Sequence, residues 1–123
     1  MPISYRIDPT QKIVYTTFEG EVTDQQIVRH ARKIGSDPEI DGSFAELIHA
    51  DTISMNGVSR SGVREAADAL RVSTTIRKIG IVAPRDVEFG LARMVELLLA
   101  DESLIEIRVF REQADARSWL GIE

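Results

Sequence analysis

Cysteine is absent from the 123 residues of the sequence. The chain therefore forms no disulfide, and thiolate catalysis and thiolate metal binding are excluded. The absence agrees with a reducing compartment, and we expect a cytoplasmic protein. A chain of this length can bury a sizeable core without cross-links. Because no linker, repeat or low-complexity stretch interrupts the pattern, we predict a single domain over residues 1–123.

The sequence also has no long apolar run, contains few histidines and carries no net positive charge. No run approaches the ~20 apolar residues of a membrane span, and the first residues lack the pattern of a signal peptide. The two histidines, His30 and His49, lack the spacing of metal ligands, so we predict no metal and no other cofactor. The net charge of −5 argues against nucleic acid as a partner, because nucleic-acid binding needs a basic face.

Familiar catalytic motifs are missing as well. The sequence has no Gly-x-Ser-x-Gly elbow, no phosphate-binding glycine-rich loop and no dinucleotide fingerprint. An active site would have to rest on His49, Asp51 and Glu46. A histidine on a strand is more often a structural residue than a general base or a metal ligand. We therefore expect a protein that is not an enzyme.

The apolar pattern predicts alternating strands and helices in the order β-β-α-β-α-β-α-β-α. The first two strands flank a turn signal at residues 8–11 and should form an antiparallel hairpin. Thr23 and Gln26 have the spacing of a capping box at the start of the first helix. The second helix is expected over residues 59–72. This order predicts an α/β fold with one single-layer, mixed, mostly parallel sheet, an N-terminal antiparallel hairpin and crossover helices.

The third helix, expected over residues 84–102, carries more apolar residues than one buried face needs. Its predicted core stripe consists of Val87, Leu91, Met94, Val95 and Leu98. Three further apolar residues fall outside that stripe: Phe89, Leu97 and Leu99. A helix buried on two sides and a helix in contact with a second copy of the chain both explain this surplus. Since two-fold dimers are the commonest oligomers, these three residues are our candidates for a homodimer contact.

Four stretches carry a resemblance to a known family. They are FEGEVTDQQ at 18–26, FAELIHADTIS at 44–54, FGLARMVELLL at 89–99 and VFREQADARSWLG at 109–121. Together they resemble the STAS superfamily, and within it the SpoIIAA-like branch of small bacterial proteins, which is related to lipid-binding Sec14-type domains. The resemblance covers nearly the whole chain and rests on core-packing patterns. It implies a SpoIIAA-like fold.

The resemblance also implies a function. In STAS regulators a partner kinase phosphorylates a serine near the start of the second crossover helix, and this modification controls binding to the partner. Ser61, Gly62 and Val63 match the family's Ser-Gly-hydrophobic motif, while Arg60 and Arg64 stand where the family has a serine and a glycine. The leading hypothesis is therefore a regulatory or protein-interaction module with an unknown protein partner. Its contact surface would be a loop over residues 51–62 together with the start of this helix, where modification would control binding.

Two interpretations of that helix start stay open. Serine is a preferred N-cap, and Ser59 is the better placed of the two serines to cap the helix. A helix N-terminus also attracts anions, and cations at that end oppose the helix dipole unless an anion offsets them. Arg60 and Arg64 therefore favour phosphorylation or anion binding there, with Ser61 as the residue to be modified. Asp68, four residues after Arg64, is the expected partner of that arginine.

The alternative function is binding of a small anionic or amphipathic molecule. Ligands of parallel α/β sheets bind at the carboxyl ends of the strands, which are expected near residues 51–57, 84–86 and 110–112. Asp51, Arg85 and Arg111 are the ligand-binding candidates at these ends. Together with Arg60, the two arginines would converge on an anion.

Overall fold

The computed structural model describes residues 2–73, 75–100 and 104–122, and within them the side chains of residues 51–57 and 73 are not described. Across these residues five strands and four helices follow one another in the predicted order. They are β1 (Ile3–Asp8), β2 (Ile13–Thr23), α1 (Asp24–Ser36), β3 (Ala45–Gly57), α2 (Arg60–Ser73), β4 (Lys78–Val82), α3 (Asp86–Leu98), β5 (Glu106–Phe110) and α4 (Gln113–Leu120).

The predicted hairpin and capping box are both confirmed. β1 pairs antiparallel with β2, and the Asp8 carboxylate accepts hydrogen bonds from the amides of Thr10 and Gln11 at the turn, over 3.0 and 3.1 Å. At the start of α1, the Gln26 amide donates to the Thr23 hydroxyl, and the Gln26 side chain accepts from the Thr23 amide. These reciprocal bonds satisfy two amides that the helix itself leaves unpaired.

The strands lie side by side in chain order, β1-β2-β3-β4-β5, and β2 to β5 are parallel. Crossovers of one hand that always step in the same direction must lie on the same face of the sheet. α1, α2 and α3 accordingly share one face, where Val14 and Ile48 of the sheet belong to the main core. On the opposite face, Leu47 and Val82 pack with Ala116 of α4. The predicted α/β class and the mixed, mostly parallel sheet are confirmed.

β3 is longer than the sequence suggests. We expected a contact loop over residues 51–62, but the strand continues to Gly57, and only Val58 and Ser59 separate it from α2. The cause is β2, which runs to Thr23 and pairs with β3 as far as Gly57. Asp51 therefore lies inside a strand and not at its carboxyl end, and its side chain lies outside the described residues.

The predicted buried face of α3 is wrong at Val87, whereas Leu91, Val95 and Leu98 lie on the inner side as predicted. Val87, which we placed in the core, is 64% exposed, whereas the adjacent Glu88 is 4% exposed. The helix turns its sheet-facing side through Glu88, Leu91, Ala92 and Val95, which share the helical spacing of three and four residues. A carboxylate thus takes a position that hydropathy assigned to its apolar neighbour.

The burial of Leu99 changes the homodimer candidates. Leu99 is 1% exposed and packs in the main core, so the prediction that it contacts a partner is wrong. Leu97 is 61% exposed and stays available for such a contact. Phe89 is half-buried. None of the helices within the described ranges combines the length and the apolar character that a membrane span requires.

Candidate functional site

The amino end of α2 is capped by Ser59. The Gly62 amide donates a hydrogen bond to the Ser59 hydroxyl oxygen over 3.0 Å, which is the bond from the third helical residue to an N-cap side chain. The prediction that Ser59 caps the helix is confirmed.

A carboxylate from α1 also lies at this helix start. Asp24 Oδ1 accepts the Ser59 amide over 2.9 Å, and Asp24 Oδ2 accepts the Ser59 hydroxyl over 2.8 Å. A negative group is favoured there by the free amides and the positive end of the helix dipole. The chain thus supplies its own anion at the amino end of α2, from a residue 35 positions earlier.

Gly62 has a steric role in the same arrangement. A Cβ atom at this position would collide with the carboxylate of Asp24. The glycine of the Ser-Gly-hydrophobic motif therefore makes room for Asp24 against the first turn of α2. The sequence offered no signal for this contact, because Asp24 read as an ordinary first-turn residue of α1.

Ser61, Arg60 and Arg64 lie on the outer side of the helix start, and all three are exposed. The Ser61 hydroxyl lies 3.1 Å from that of Ser59, and it must be the donor because the Ser59 proton is directed to Asp24. Neither guanidinium forms an ion pair with any residue that the structure describes. The predicted pair of Arg64 with Asp68 is absent, since Asp68 instead contacts Arg71 over 2.6 Å.

The two arginines border a groove of about 490 Å³ between the start of α2 and the second half of α3. Its other walls are Met94, Leu97 and Leu98. The groove therefore combines exposed apolar surface with two guanidinium groups that pair with no carboxylate among the described residues. We call it the arginine groove, defined by Arg60, Ser61, Arg64, Met94, Leu97 and Leu98.

The other two arginine candidates already contact carboxylates. Arg111 Nη1 lies 2.6 Å from Asp86 Oδ1, and its guanidinium lies 4.3 Å from the centre of the Phe89 ring. Arg85 Nη2 lies 2.5 Å from Glu88 Oε1. Both arginines follow the paired ends of β4 and β5 as expected, but their charge is balanced by neighbours on α3.

The structure separates Glu46 from His49. Glu46 and Ile48 face the helices α1 to α3, whereas Leu47 packs toward α4. Because strand side chains alternate between faces, His49 lies on the same face as Leu47, opposite Glu46. A catalytic pair of Glu46 and His49 is therefore not assembled. Within the described residues no group of three or more histidines and carboxylates is arranged to hold a metal ion.

Glu46 belongs instead to a buried polar cluster. Its Oε2 atom accepts a hydrogen bond from the Thr16 hydroxyl over 2.6 Å and lies 2.8 Å from His30 Nε2. The side chains of His30 and Glu46 are 9% and 2% exposed. The sequence separates these residues by 30 and 16 positions, which is why no local pattern indicated the cluster.

Among solved structures the architecture has a counterpart. An uncharacterised protein of the DUF3478 family with a SpoIIAA-like fold, from Shewanella loihica PV-4, superposes with a TM-score of 0.62 over 96% of this chain and 93% of that chain, at 15% identity. This chain has a SpoIIAA-like fold. At such an identity the likeness establishes the fold alone. No protein-family model matches the sequence, and no curated protein matches it.

The SpoIIAA-like domain holds a second concave site, inside the molecule. A cavity of about 100 Å³ lies between the sheet and the helices α1 to α3. Its walls are mostly apolar and include Phe18, Ile48, Val63, Ala66, Ala92 and Val95. Glu46, His30 and Glu88 also border it.

Proposed function

We propose that this SpoIIAA-like domain is a non-catalytic interaction module that binds an anionic partner protein at the arginine groove. The observation that carries the proposal is the exposure of Arg60 and Arg64 without an ion-pair partner among the described residues. Guanidinium groups hold carboxylates and phosphates through paired hydrogen bonds. On a chain whose net charge is −5, two neighbouring arginines that have no ion-pair partner in the described part of the chain are a local exception.

The apolar wall of the groove limits further which kinds of partner segment could bind there. Leu97 is 61% exposed, and it lies beside Met94 and Leu98. A partner segment that carries acidic or phosphorylated residues together with apolar ones would satisfy both parts of the surface. We therefore favour an acidic, amphipathic segment over a fully polar one.

Phosphorylation at Ser61 is the proposed control. A phosphoryl group there would add a charge of about −2 between Arg60 and Arg64. The arginines would then pair with it and no longer with the partner. Ser59 is the weaker candidate for modification, because its hydroxyl is engaged by both Asp24 and Gly62.

Binding of an anionic small molecule at the strand ends has less support than the groove. Arg85 and Arg111 face Glu88 and Asp86, so an incoming anion would have to displace a carboxylate from each. Asp51 lies inside β3. At the groove, no carboxylate of the described ranges would have to be displaced.

A charge-reversal experiment tests the proposal. The probe is a synthetic amphipathic peptide with glutamate, phosphoserine and leucine, titrated into the isotope-labelled chain and followed by NMR. We expect shifts at the arginine groove, and a dissociation constant raised on the order of tenfold or more by the pair Arg60→Glu and Arg64→Glu, because charged hydrogen bonds are lost. The matched control is Arg29→Glu with Arg32→Glu, an exposed pair on α1.

Two results would contradict the proposal. One is equal weakening by the two pairs of substitutions, which would indicate attraction by overall charge. The other is a set of shifts that lies away from the arginine groove. The control of binding by Ser61 has its own test: Ser61→Asp should weaken binding of the same peptide, whereas Ser61→Ala should leave it unchanged.

A further inference from the structure

The strand β5 has one paired side and one open side. On the paired side, the Ala83 amide donates a hydrogen bond to the Phe110 carbonyl over 2.8 Å, so the backbone groups of Phe110 are directed toward β4. Because backbone groups alternate in direction along a strand, those of Ile107 and Val109 are directed away from β4. β5 is the outermost strand of the sheet, and no strand of the described ranges pairs with its open side.

One amide of the open side is occupied by a side chain of α3. The Val109 amide donates a hydrogen bond to Glu96 Oε1 over 3.0 Å. The Glu96 side chain is 17% exposed, and it also forms an ion pair with Arg93 one turn earlier. A carboxylate that accepts an edge amide denies that donor to an incoming strand, and charged side chains commonly protect sheet edges in this way. Glu96 therefore closes the open side of β5 against the addition of a strand.

Two copies of β5 fit each other in one antiparallel register. With Ile107 opposite Ile107, Val109 of each copy faces Ile105 of the other, and the backbone groups of Ile107 and Val109 are directed at the second copy. In the same register Glu106 of each copy lies opposite Arg108 of the other. Both side chains are exposed, and neither forms an ion pair with a residue that the structure describes. A two-fold dimer therefore gains two facing pairs of opposite charge, which stabilise a strand pair.

We propose that the open side of β5 is a latent dimerisation surface for a second copy of the chain, in the antiparallel register with Ile107 opposite Ile107, and that Glu96 keeps it closed by holding the Val109 amide. The neighbouring registers place Arg108 opposite Arg108 or Glu106 opposite Glu106, and like charges in facing positions destabilise a strand pair. The surface shares no residue with the arginine groove, and its test does not depend on the partner proposed there.

Removal of the carboxylate tests the closure. The side chains introduced by Glu96→Ala and Glu96→Ser are too short to reach the Val109 amide, and sedimentation equilibrium of the full chain measures association. We expect both variants to lower the dimer dissociation constant on the order of tenfold or more, because the charged hydrogen bond that competes with strand pairing is lost. Glu96→Gln keeps an acceptor oxygen and should lower the constant less than either. Glu65→Ala, at an exposed glutamate of α2, is the matched control and should change nothing.

A charge exchange locates the dimer contact. In the Glu96→Ala background, Glu106→Arg puts like charges opposite each other and should weaken the dimer on the order of tenfold. Addition of Arg108→Glu restores opposite charges and should return the dissociation constant to within about threefold of the background value. Hydrogen exchange of the Ile107 and Val109 amides in Glu96→Ala should slow as the protein concentration rises. The thermal midpoint of each variant in dilute solution verifies that it is folded.

Any of three outcomes would overturn the proposal. In the first, the folded Glu96→Ala and Glu96→Ser variants associate no more strongly than wild type and Glu65→Ala, so Glu96 does not close the edge. In the second, they associate, but Glu106→Arg has no effect or Arg108→Glu fails to restore the dimer, so the contact lies elsewhere. In the third, exchange of the Ile107 and Val109 amides in Glu96→Ala does not change with protein concentration.

Discussion

Asp24 shows how one residue can serve two helices. It is the first residue of α1 and also accepts the amide and the hydroxyl of Ser59 at the start of α2. Its carboxylate is therefore placed near the positive ends of both helices. Gly62 permits this placement, because any side chain there would occupy the space of the carboxylate.

Replacing Gly62 tests that arrangement. We expect Gly62→Ala to lower the free energy of unfolding by about 1–3 kcal/mol, because the new methyl group forces Asp24 away. The control is Gly90→Ala in α3, where a Cβ would meet no atom within 4 Å, and there alanine should stabilise the helix by up to ~1 kcal/mol. Urea denaturation measures both. An equal loss in a background that already carries Asp24→Ala would show that the collision is not the cause.

Tyr5 and Asp37 make stability depend on pH. The Tyr5 hydroxyl donates to Asp37 Oδ2 over 2.7 Å. This bond holds the pKa of Asp37 below its usual 3.8, while burial and the same bond raise the pKa of Tyr5 to about 12. The Asp37 contribution to stability is present above pH 3.8 and is lost as the pH falls through the lowered pKa. The Tyr5 contribution is present below pH 10 and is lost as the pH rises toward 12.

Tyr5→Phe removes this pair. We expect a lower urea midpoint at pH 7 and a flatter loss of stability below pH 3.8, because Asp37 then titrates more nearly as it does in the unfolded chain. Tyr15→Phe is the control, since the pair does not involve its hydroxyl. NMR titration of Asp37 in both variants checks the cause. An unchanged Asp37 pKa in Tyr5→Phe would contradict the assignment.

Among the secondary-structure elements, α3 departs from the usual pattern of an apolar buried face and a polar exposed face. Its buried face is headed by a carboxylate, Glu88, and the neighbouring Val87 is directed to solvent. Its apolar surplus is divided between the core and the surface, since Leu99 is 1% exposed and Leu97 is 61% exposed. A homodimer stays a prediction, and Leu97 and the half-buried Phe89 are its candidate contacts.

Two substitutions distinguish the sides of this segment. Leu99→Ala should lower the free energy of unfolding by about 2–5 kcal/mol, because it leaves a cavity in the core. Leu97→Ala should change it by no more than about 0.5 kcal/mol. Chemical denaturation of dilute protein measures both. A large loss at Leu97 that grows with protein concentration would indicate a dimer through this residue, since dimerisation stabilises by mass action.

For the whole molecule, the strand order decides how the layers are distributed. Three crossover helices lie on one face, and α4 returns to the other, where Leu47, Val82 and Ala116 form the smaller core. Both cores use the same central strands, because neighbouring residues of β2 and β3 point to opposite faces. Disruption of either layer therefore disturbs the sheet that supports the other.

This shared sheet predicts a single cooperative transition. Trp119 is the only tryptophan of the sequence, and it lies on α4. The centre of its ring is 4.5 Å from Lys78 Nζ. Its fluorescence reports on the smaller layer, while far-ultraviolet circular dichroism reports on all helices. We expect the two urea transitions to coincide. A fluorescence change that precedes the loss of circular dichroism would show that α4 separates first.

The predictions that the structure confirms rest on local patterns in the sequence. The order of elements followed from apolar periodicity, the capping box from the spacing of Thr23 and Gln26, and the Ser59 cap from its place before an amphipathic run. Such features involve residues within about four positions, and their physics is contained in the segment itself. The resemblance of the sequence to SpoIIAA-like proteins predicted a fold that the structural comparison confirmed.

Contacts between segments that are distant in sequence determined the features that the sequence did not predict. The length of β3 depends on its pairing with β2, and the burial of Glu88 in place of Val87 depends on how α3 packs against the sheet. Asp24 reaches Ser59, and Glu46 reaches Thr16 and His30, across 16 to 35 positions. By itself the sequence determined the elements, their order and the cap at Ser59. Only the tertiary structure placed the Asp24 carboxylate at the start of α2, left Arg60 and Arg64 without an ion-pair partner among the residues that the structure describes, and buried Glu88 beside a cavity. These features depend on which distant side chains the fold brings together.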